Sequence, residues 1–144
     1  MKISDVVRTK GSDVVTIRSD ASVGELVALL AQHRIGAVVV VDEQDSGAIA
    51  GIVSERDVVR GLGEDARALL DRPVGQLMTT TVHTCAPSDE IHTLAALMTE
   101  RRVRHVPVVE DGRLQAIVSI GDVVKFRLQE LQTERDHLQD YISG

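Results

Sequence analysis

The sequence predicts an α+β fold in which two β-α-β-β-α units pack through their sheets with pseudo-twofold symmetry. The first observation is a repeat, since residues 51–59 read GIVSERDVV and residues 116–124 read AIVSIGDVV. The second is that an amphipathic helix pattern and two apolar strand patterns precede each copy in the same order. Such duplication indicates two repeats with the same local fold. Because a three-stranded half with one apolar face is marginal alone, we expect the halves to pack together.

The first helix of each unit is predicted from apolar residues spaced i, i+3, i+4 and i+7, which place one apolar face on a helix. These residues are Val23, Leu26, Val27 and Leu30, and, 68 positions later, Ile91, Leu94, Ala95 and Met98. Ser22 and Glu25 have the spacing of a capping box, which marks the start of the first helix.

The strands of each unit are predicted from dense runs of β-branched residues, which favour buried strands. These runs are 38–41 in the first unit and 106–109 in the second, and a second strand is predicted after each of them, at 48–53 and at 114–118. An acidic turn separates the two strands of each unit. The turn at 110–112 is shorter than the turn at 42–47, and such length changes belong in surface loops.

The repeat divides the chain into four parts. A short segment precedes each unit, at 3–7 and at 74–78, and these segments look like another matched pair. The predicted parts are a first repeat at 1–62, a linker at 63–73, a second repeat at 74–127 and a C-terminal helix extension at 128–144.

The composition excludes several classes of partner. A net charge of −6 and only two aromatic residues argue against nucleic acid, which needs a basic surface or a stacking platform. No apolar run approaches the roughly 18 residues that span a bilayer, so we expect no membrane partner. The N-terminal residues lack the apolar core of a signal peptide, which predicts a cytoplasmic protein. The single Cys85 cannot form an internal disulfide, although a bridge between chains stays open.

Metal binding and catalysis are weakly indicated. His83 and Cys85 alternate along a predicted strand and would share a face, with His92 as a possible third ligand. The spacing lacks a closed set of four ligands, and an exposed His83 beside a half-buried Cys85 is the simpler interpretation. The sequence contains no Ser-His-Asp, His-Glu-x-x-His or Walker pattern, so we predict that the protein is not an enzyme.

The order of elements and the phrase at 51–57 resemble the cystathionine-β-synthase (CBS) domain family, in which two repeats form a Bateman module. The resemblance covers about residues 1–127. It implies that clefts between the repeats bind adenosine-containing ligands such as AMP, ADP, ATP, NAD or S-adenosylmethionine. It also implies that Asp57 and Asp122 hold ribose hydroxyls, while Ser54 and Ser119 help to hold phosphate.

The chemistry of these residue types agrees with the roles that the resemblance implies. An ionised carboxylate is a good acceptor for a ribose diol, and a helix N-terminus offers N–H groups to phosphate. The same Ser-x-x-Asp spacing is also a variant of the capping box. Ser54 and Ser119 could therefore cap their helices, bind a ligand, or do both.

The two units differ at the residues just before their first β-branched run. The second unit has Arg104 and His105, and in nucleotide-binding members of the family a basic pair at this place often reaches the phosphates. The first unit has Gly36 and Ala37, so that Arg56 is its best phosphate contact. The alternative is that the arginines before the second run only solvate a helix end. This asymmetry predicts two sites of unequal affinity.

The rest of each site follows from the resemblance and from pseudo-symmetry. Because the chain has few aromatic residues, adenine would lie between aliphatic side chains and backbone amides. The Asp122 site would borrow residues 12–15 and 35–37, and the Asp57 site would borrow 81–83 and 103–105. The residues that we select from these segments are Val14, Ile35, Gly36, Ala37, Val82 and Val103.

The C-terminal stretch 123–142 is predicted to be one long helix. Leu128, Leu131, Leu138 and Ile142 fall near one of its faces. Twenty helical residues span about 30 Å, which exceeds a small unit. We expect this helix to help form a homodimer, as is usual for CBS modules; the alternative is that it docks back on its own unit.

These observations predict a stand-alone regulatory module that senses an adenosine-containing ligand and is read by a protein effector. Binding would change the angle between units or between subunits. The alternative is a ligand-independent dimeric adaptor, in which the Ser-x-x-Asp phrases serve only as helix caps.

Overall fold

The computed structural model describes residues 1–11, 13–42, 44–45 and 47–144, and our expectations for Ser12, Glu43 and Ser46 lie outside these ranges. The α-helices are α1 (Ile3–Lys10), α2 (Val23–His33), α3 (Glu55–Asp65), α4 (Ile91–Arg101) and α5 (Ile120–Ser143). The strands are β1 (Thr16–Arg18), β2 (Ala37–Val41), β3 (Ile49–Ser54), β4 (His105–Glu110) and β5 (Arg113–Ser119). Short 3₁₀ turns occupy Leu69–Asp71 and Val74–Gln76. Helices and strands follow the predicted α+β order.

The chain forms two compact units. The first unit consists of Asp13–His83 and Asp111–Leu114, and the second consists of Met1–Ser12, Thr84–Glu110 and Gln115–Gly144. Helix α1 therefore packs with the second repeat, although the chain places it before the first. The 3₁₀ turn Val74–Gln76, which precedes the second repeat, packs in the first unit.

Equivalent backbone hydrogen bonds hold these two exchanged segments. In the second unit, the Ile3 N–H donates to the Asp89 carbonyl at 2.9 Å. In the first unit, the Val74 N–H donates to the Ala21 carbonyl at 2.8 Å. Ala21 and Asp89 are 68 residues apart, which is the repeat offset of the helices. The segments at 3–7 and 74–78 thus occupy matching places, one as an α-helix and the other as a 3₁₀ turn.

The first unit is built on a three-stranded sheet in the order β1-β2-β3. Strand β1 runs parallel to β2, and β2 runs antiparallel to β3. All five residues of β2 are buried, because both of its faces are covered and each face needs an apolar side chain. Leu26 and Leu30 of α2 pack against Val38, Val40 and Val53 in one core.

The second unit contains the two-stranded sheet β4-β5. Cys85 forms a single parallel bridge to Val108, in the place where β1 pairs Ile17 with Val40 in the first unit. Residues 81–84 form no strand. The prediction that His83 and Cys85 alternate along a strand is therefore wrong, since only one residue of this segment pairs with the sheet.

The helices agree with the sequence patterns apart from two details. Val27 is exposed, whereas Val23, Leu26 and Leu30 bury one face of α2. The apolar stripe of α2 is therefore narrower than predicted. Helix α3 continues to Asp65, so the first residues of the stretch at 63–73 are helical. In the described part of the chain, no helix is both long enough and apolar enough to cross a membrane.

Candidate functional site

The N-terminus of α3 carries the first Ser-Asp pair. One carboxylate oxygen of Asp57, Oδ2, accepts hydrogen bonds from the backbone N–H of Ser54 at 2.8 Å and from its hydroxyl at 3.1 Å. Ser54 has the extended backbone of an N-cap residue. Both side chains are half-buried. The carboxylate is thus fixed beside the first N–H groups of the helix, which lack partners within the helix.

The N-terminus of α5 repeats this arrangement with a complete capping box. Asp122 Oδ2 accepts hydrogen bonds from the N–H of Ser119 at 2.9 Å and from its hydroxyl at 3.0 Å. The Asp122 N–H donates in turn to Ser119 Oγ at 3.2 Å. The interpretation of the phrases as helix caps is correct in structural terms, and it leaves Asp122 Oδ1 and Asp57 Oδ1 as further acceptors.

Equivalent backbone hydrogen bonds join the start of α3 to the segment before β2 and the start of α5 to the segment before β4. The Glu55 N–H donates to the Gly36 carbonyl at 2.9 Å, and the Ile120 N–H donates to the Arg104 carbonyl at 2.8 Å. These bonds place the Gly36 segment beside Asp57 in the first unit. They place the Arg104 segment beside Asp122 in the second unit.

The remaining predicted site residues of the first unit differ in exposure. Ala37 is buried and pairs with Ser54 across the sheet. Arg56 is exposed on α3. The half-buried residues are Val14, Ile35, Gly36 and Val82. The structure thus brings residues 35–37 together with the Ser54 and Asp57 pair, whereas Val14 and Val82 lie outside helices and strands.

In the second unit, Arg104 is exposed, and Val103 and His105 are half-buried. Arg102 ends α4 with a left-handed backbone, φ 53°, as Arg34 ends α2 with φ 54°. The chain therefore leaves both helices in the same way before it enters the site. The borrowing of segments between repeats stays a prediction.

Lys10 contacts the candidate site residue Asp122, and sequence reasoning missed this contact. Its ammonium lies 2.6 Å from Asp122 Oδ2 and 2.7 Å from the Ile117 carbonyl oxygen. Burial of the Asp122 carboxyl raises its pKa, but the hydrogen bonds from Lys10 and Ser119 outweigh this effect, so that the pKa is lowered from its ordinary value. Among the described residues, Asp57 has no such ion pair. When the matched segments 3–7 and 74–78 are extended, Lys10 aligns with Thr81. This replacement of a charged residue by an uncharged one could have indicated that only Asp122 has an ion-pair partner.

Cys85 lies in an apolar setting and not in a ligand cluster. Only 8% of its surface is exposed, so it is buried and not half-buried as predicted. Its thiol lies 3.7 Å from the Pro107 carbonyl oxygen. Within the described ranges, no group of three His, Cys, Asp or Glu side chains has the arrangement of a metal site.

We expect Cys85 to resist thiol reagents in the native protein. Burial, together with the nearby Asp89 carboxylate, raises the pKa of the thiol to about 12, and the thiolate is the reactive species. In the native protein at pH 8, Ellman's reagent should label less than about a tenth of the chains in the time that labels unfolded chains fully. Rapid stoichiometric labelling in buffer alone, at the rate seen in guanidinium chloride, would contradict this expectation.

The fold and the two capped helix starts define a two-repeat α+β module with one Ser-Asp pair in each repeat. Comparison with known proteins agrees with the class that the sequence resembles. The chain belongs to the CBS domain family, since the family model for the CBS domain matches residues 3–64 and 74–129.

Individual proteins show the same relationship. The mitochondrial CBS domain-containing protein CBSX3 of Arabidopsis thaliana is 36% identical over 99% of this chain and 72% of its own length. The crystal structure of the CBS-domain containing protein ATU1752 of Agrobacterium tumefaciens is 44% identical, with a TM-score of 0.83 over 88% of this chain and 92% of that protein. The CBS domain protein PAE2072 of Pyrobaculum aerophilum, solved in complex with AMP, is 28% identical, with a TM-score of 0.77 over 85% of this chain and 89% of that protein.

Proposed function

We propose that this protein is a non-catalytic regulatory module that binds an adenosine-containing ligand at the N-termini of α3 and α5. The observation that carries the proposal is the doubled arrangement of a serine and an aspartate at these helix starts. The complex of PAE2072 with AMP supports the choice of ligand class. AMP, ADP, ATP, NAD and S-adenosylmethionine share the ribose that a carboxylate would hold.

The geometry supports separate roles for the carboxylate and for the helix start. Asp57 and Asp122 each present a carboxylate to the two ribose hydroxyls, and a charged acceptor forms the stronger kind of hydrogen bond. The N–H groups of the first helical turn and the hydroxyls of Ser54 and Ser119 suit phosphate. Arg56 in the first unit and Arg104 in the second are exposed cations close to these helix starts in sequence and in space.

Calorimetry with AMP, ATP, NAD and S-adenosylmethionine tests this proposal. At least one ligand should bind the wild-type protein, and the double variant Asp57→Ala, Asp122→Ala should weaken its binding about 10- to 100-fold, because a hydrogen bond to a charged group contributes roughly 1.5–3 kcal/mol. Asp140→Ala, which removes an exposed carboxylate near the end of α5, is the matched control and should bind as the wild type does. Absence of binding by all four ligands, or undiminished binding by the double variant, would contradict the proposal.

A second feature, the outer face of α5, favours a homodimer. Val124, Leu128, Leu131, Leu138 and Ile142 are all exposed. Their spacing alternates between three and four residues, with Arg135 in the one remaining position of the series, and this is the heptad spacing by which two helices pack. The first part of α5 does dock on its own unit, since Val123 and Phe126 are buried and the N-terminal ammonium donates to Glu130 at 2.9 Å. The apolar stripe lies on the other, exposed side of the helix. A second copy of the chain would present the same stripe, so we include a homodimer in the proposal.

A homodimer is also compatible with the alternative function, that of a ligand-independent adaptor. A protein that only dimerises and docks on an effector would need α5 and would not need a ligand. A thermal melt separates the two functions, since a ligand at a hundredfold excess over its dissociation constant adds about 2.7 kcal/mol to stability.

The proposal also includes a protein effector that responds to ligand binding by this module. A cytoplasmic location stays a prediction, because the similar protein from Arabidopsis thaliana is mitochondrial by name.

A further inference from the structure

The two Ser-Asp pairs differ in one charged contact. Asp122 Oδ2 accepts from the Lys10 ammonium at 2.6 Å, in addition to the N–H and the hydroxyl of Ser119. Asp57 Oδ2 accepts only from Ser54 among the described residues. Thr81, the counterpart of Lys10, is uncharged and too short to make the same contact. The asymmetry is therefore built by the segments that precede each repeat.

Lys10 is held firmly enough for this contact to affect binding. Its ammonium also donates to the Ile117 carbonyl oxygen at 2.7 Å, so two acceptors fix it. The side chains of Lys10 and Asp122 are 36% and 21% exposed, which places the ion pair between a surface pair and a buried one. Such a pair is screened less by salt than a fully exposed pair. Lys10 ends α1, and Gly11 then turns the chain with φ 94°.

We propose that Lys10 is a latch on the second site, which competes with the ribose for the Asp122 carboxylate and makes this site the weaker of the two. The inference rests on the proposed function, because it assigns Asp122 to the ribose. A ribose diol uses both oxygens of a carboxylate, and at Asp122 one of them already holds a cation. Binding there must exchange the ammonium of Lys10 for a neutral hydroxyl. At Asp57 no such exchange is required.

The latch gives occupation of the second site a structural consequence. A ligand that takes Asp122 Oδ2 removes the charge partner of Lys10, which is the last residue of α1. The Lys10 ammonium, at the end of α1, then keeps only the Ile117 carbonyl oxygen as an acceptor. Ligand at the second site is thereby coupled to the position of a helix that belongs to the same compact unit.

Calorimetry with AMP in an Asp57→Ala background tests the latch, because this background leaves only the Asp122 site. Lys10→Met removes the charge and keeps the length of the side chain. Added to Asp57→Ala, it should tighten AMP binding about two- to fivefold, in line with the worth of a partly exposed ion pair. Lys2→Met makes the same change of charge at an exposed position just before α1 and should leave AMP binding unaltered.

A measurement without ligand tests the contact itself. The pKa of the Asp122 carboxyl, followed by carbon NMR, should rise in Lys10→Met relative to the wild type and should not change in Lys2→Met. An unaltered pKa in Lys10→Met would overturn the latch. AMP binding in the Asp57→Ala background that Lys10→Met leaves equal or weakens would overturn it too, while the proposed function would stand. Absence of AMP binding by the wild type and by every variant would overturn the latch together with AMP as the ligand.

Discussion

Replacing Gly51 with alanine is expected to lower the free energy of unfolding by about 3 kcal/mol, as the sum of an overpacked core and weakened backbone hydrogen bonds. A Cβ at this position in β3 would lie 2.7 Å from the Thr79 carbonyl oxygen and 2.8 Å from Met78 Sδ. The carbonyl cannot move away cheaply, because Thr79 and Ile52 exchange two backbone hydrogen bonds of 3.0 and 2.8 Å. Denaturation in guanidinium chloride measures the change.

Two comparisons separate this clash from a general effect of alanine. The equivalent residue of the second repeat is Ala116, which is buried without difficulty. Gly63→Ala is the matched variant, since a Cβ at Gly63 meets nothing within 4 Å. It should stabilise the protein by roughly 0.5–1 kcal/mol, because glycine is costly inside a helix. A Gly51→Ala variant as stable as the wild type would show that the Thr79 segment does not hold its place against β3.

Two charges on the outer face of α5 are expected to convert a homodimer into a monomer. The Leu131→Glu, Leu138→Glu double variant places carboxylates in the middle of the apolar stripe, where Leu138 is 63% exposed in the single chain. In a dimer these side chains would be buried, and an unpaired buried charge costs several kcal/mol. Light scattering should give twice the chain mass for the wild type and the chain mass for the variant.

The control for the dimer keeps the same change of charge on the opposite face of α5. Gln129→Glu and Thr133→Glu alter exposed residues outside the stripe and should leave the dimer intact. Truncation at Asp140 removes only Ile142 from the stripe and should weaken the dimer in part. A monomer for both the full-length chain and the truncated chain would contradict the assignment of α5 to the interface.

The repeat made most of the fold predictable. Helices α2 and α4 and strands β2 and β4 follow from apolar spacing that occurs twice, and each copy supports the other. The extent of α3 could not be predicted in the same way. Gly61 and Gly63 are locally unfavourable to a helix, yet Gly61 is buried within α3, where the absence of a side chain leaves room for Leu69. Packing overrides local propensity there.

The geometry of the candidate site was predictable in its repeated part only. Ser54, Asp57, Ser119 and Asp122 lie at helix starts as expected, because capping depends on neighbours within one turn. Lys10 reaches Asp122 across 112 positions of sequence, and no local pattern records such a contact. The burial of Cys85 was underestimated for a related reason, since the partners that cover it come from β4, more than 20 residues away.

The segment before each repeat packs in the unit of the other repeat, and this arrangement imposes an order of assembly during synthesis on the ribosome. Residues 13–83 leave the ribosome before the second repeat and already include the Val74–Gln76 turn, which belongs to the same unit as their sheet. Helix α1 is synthesised before all of them, but the residues to which it bonds, Pro87 and Asp89, emerge some 80 positions later. At a synthesis rate of roughly 5–20 residues per second, α1 waits for several seconds without its partner. Helix α1 is thus made before α2 to α5 and yet is among the last of these helices to find its place.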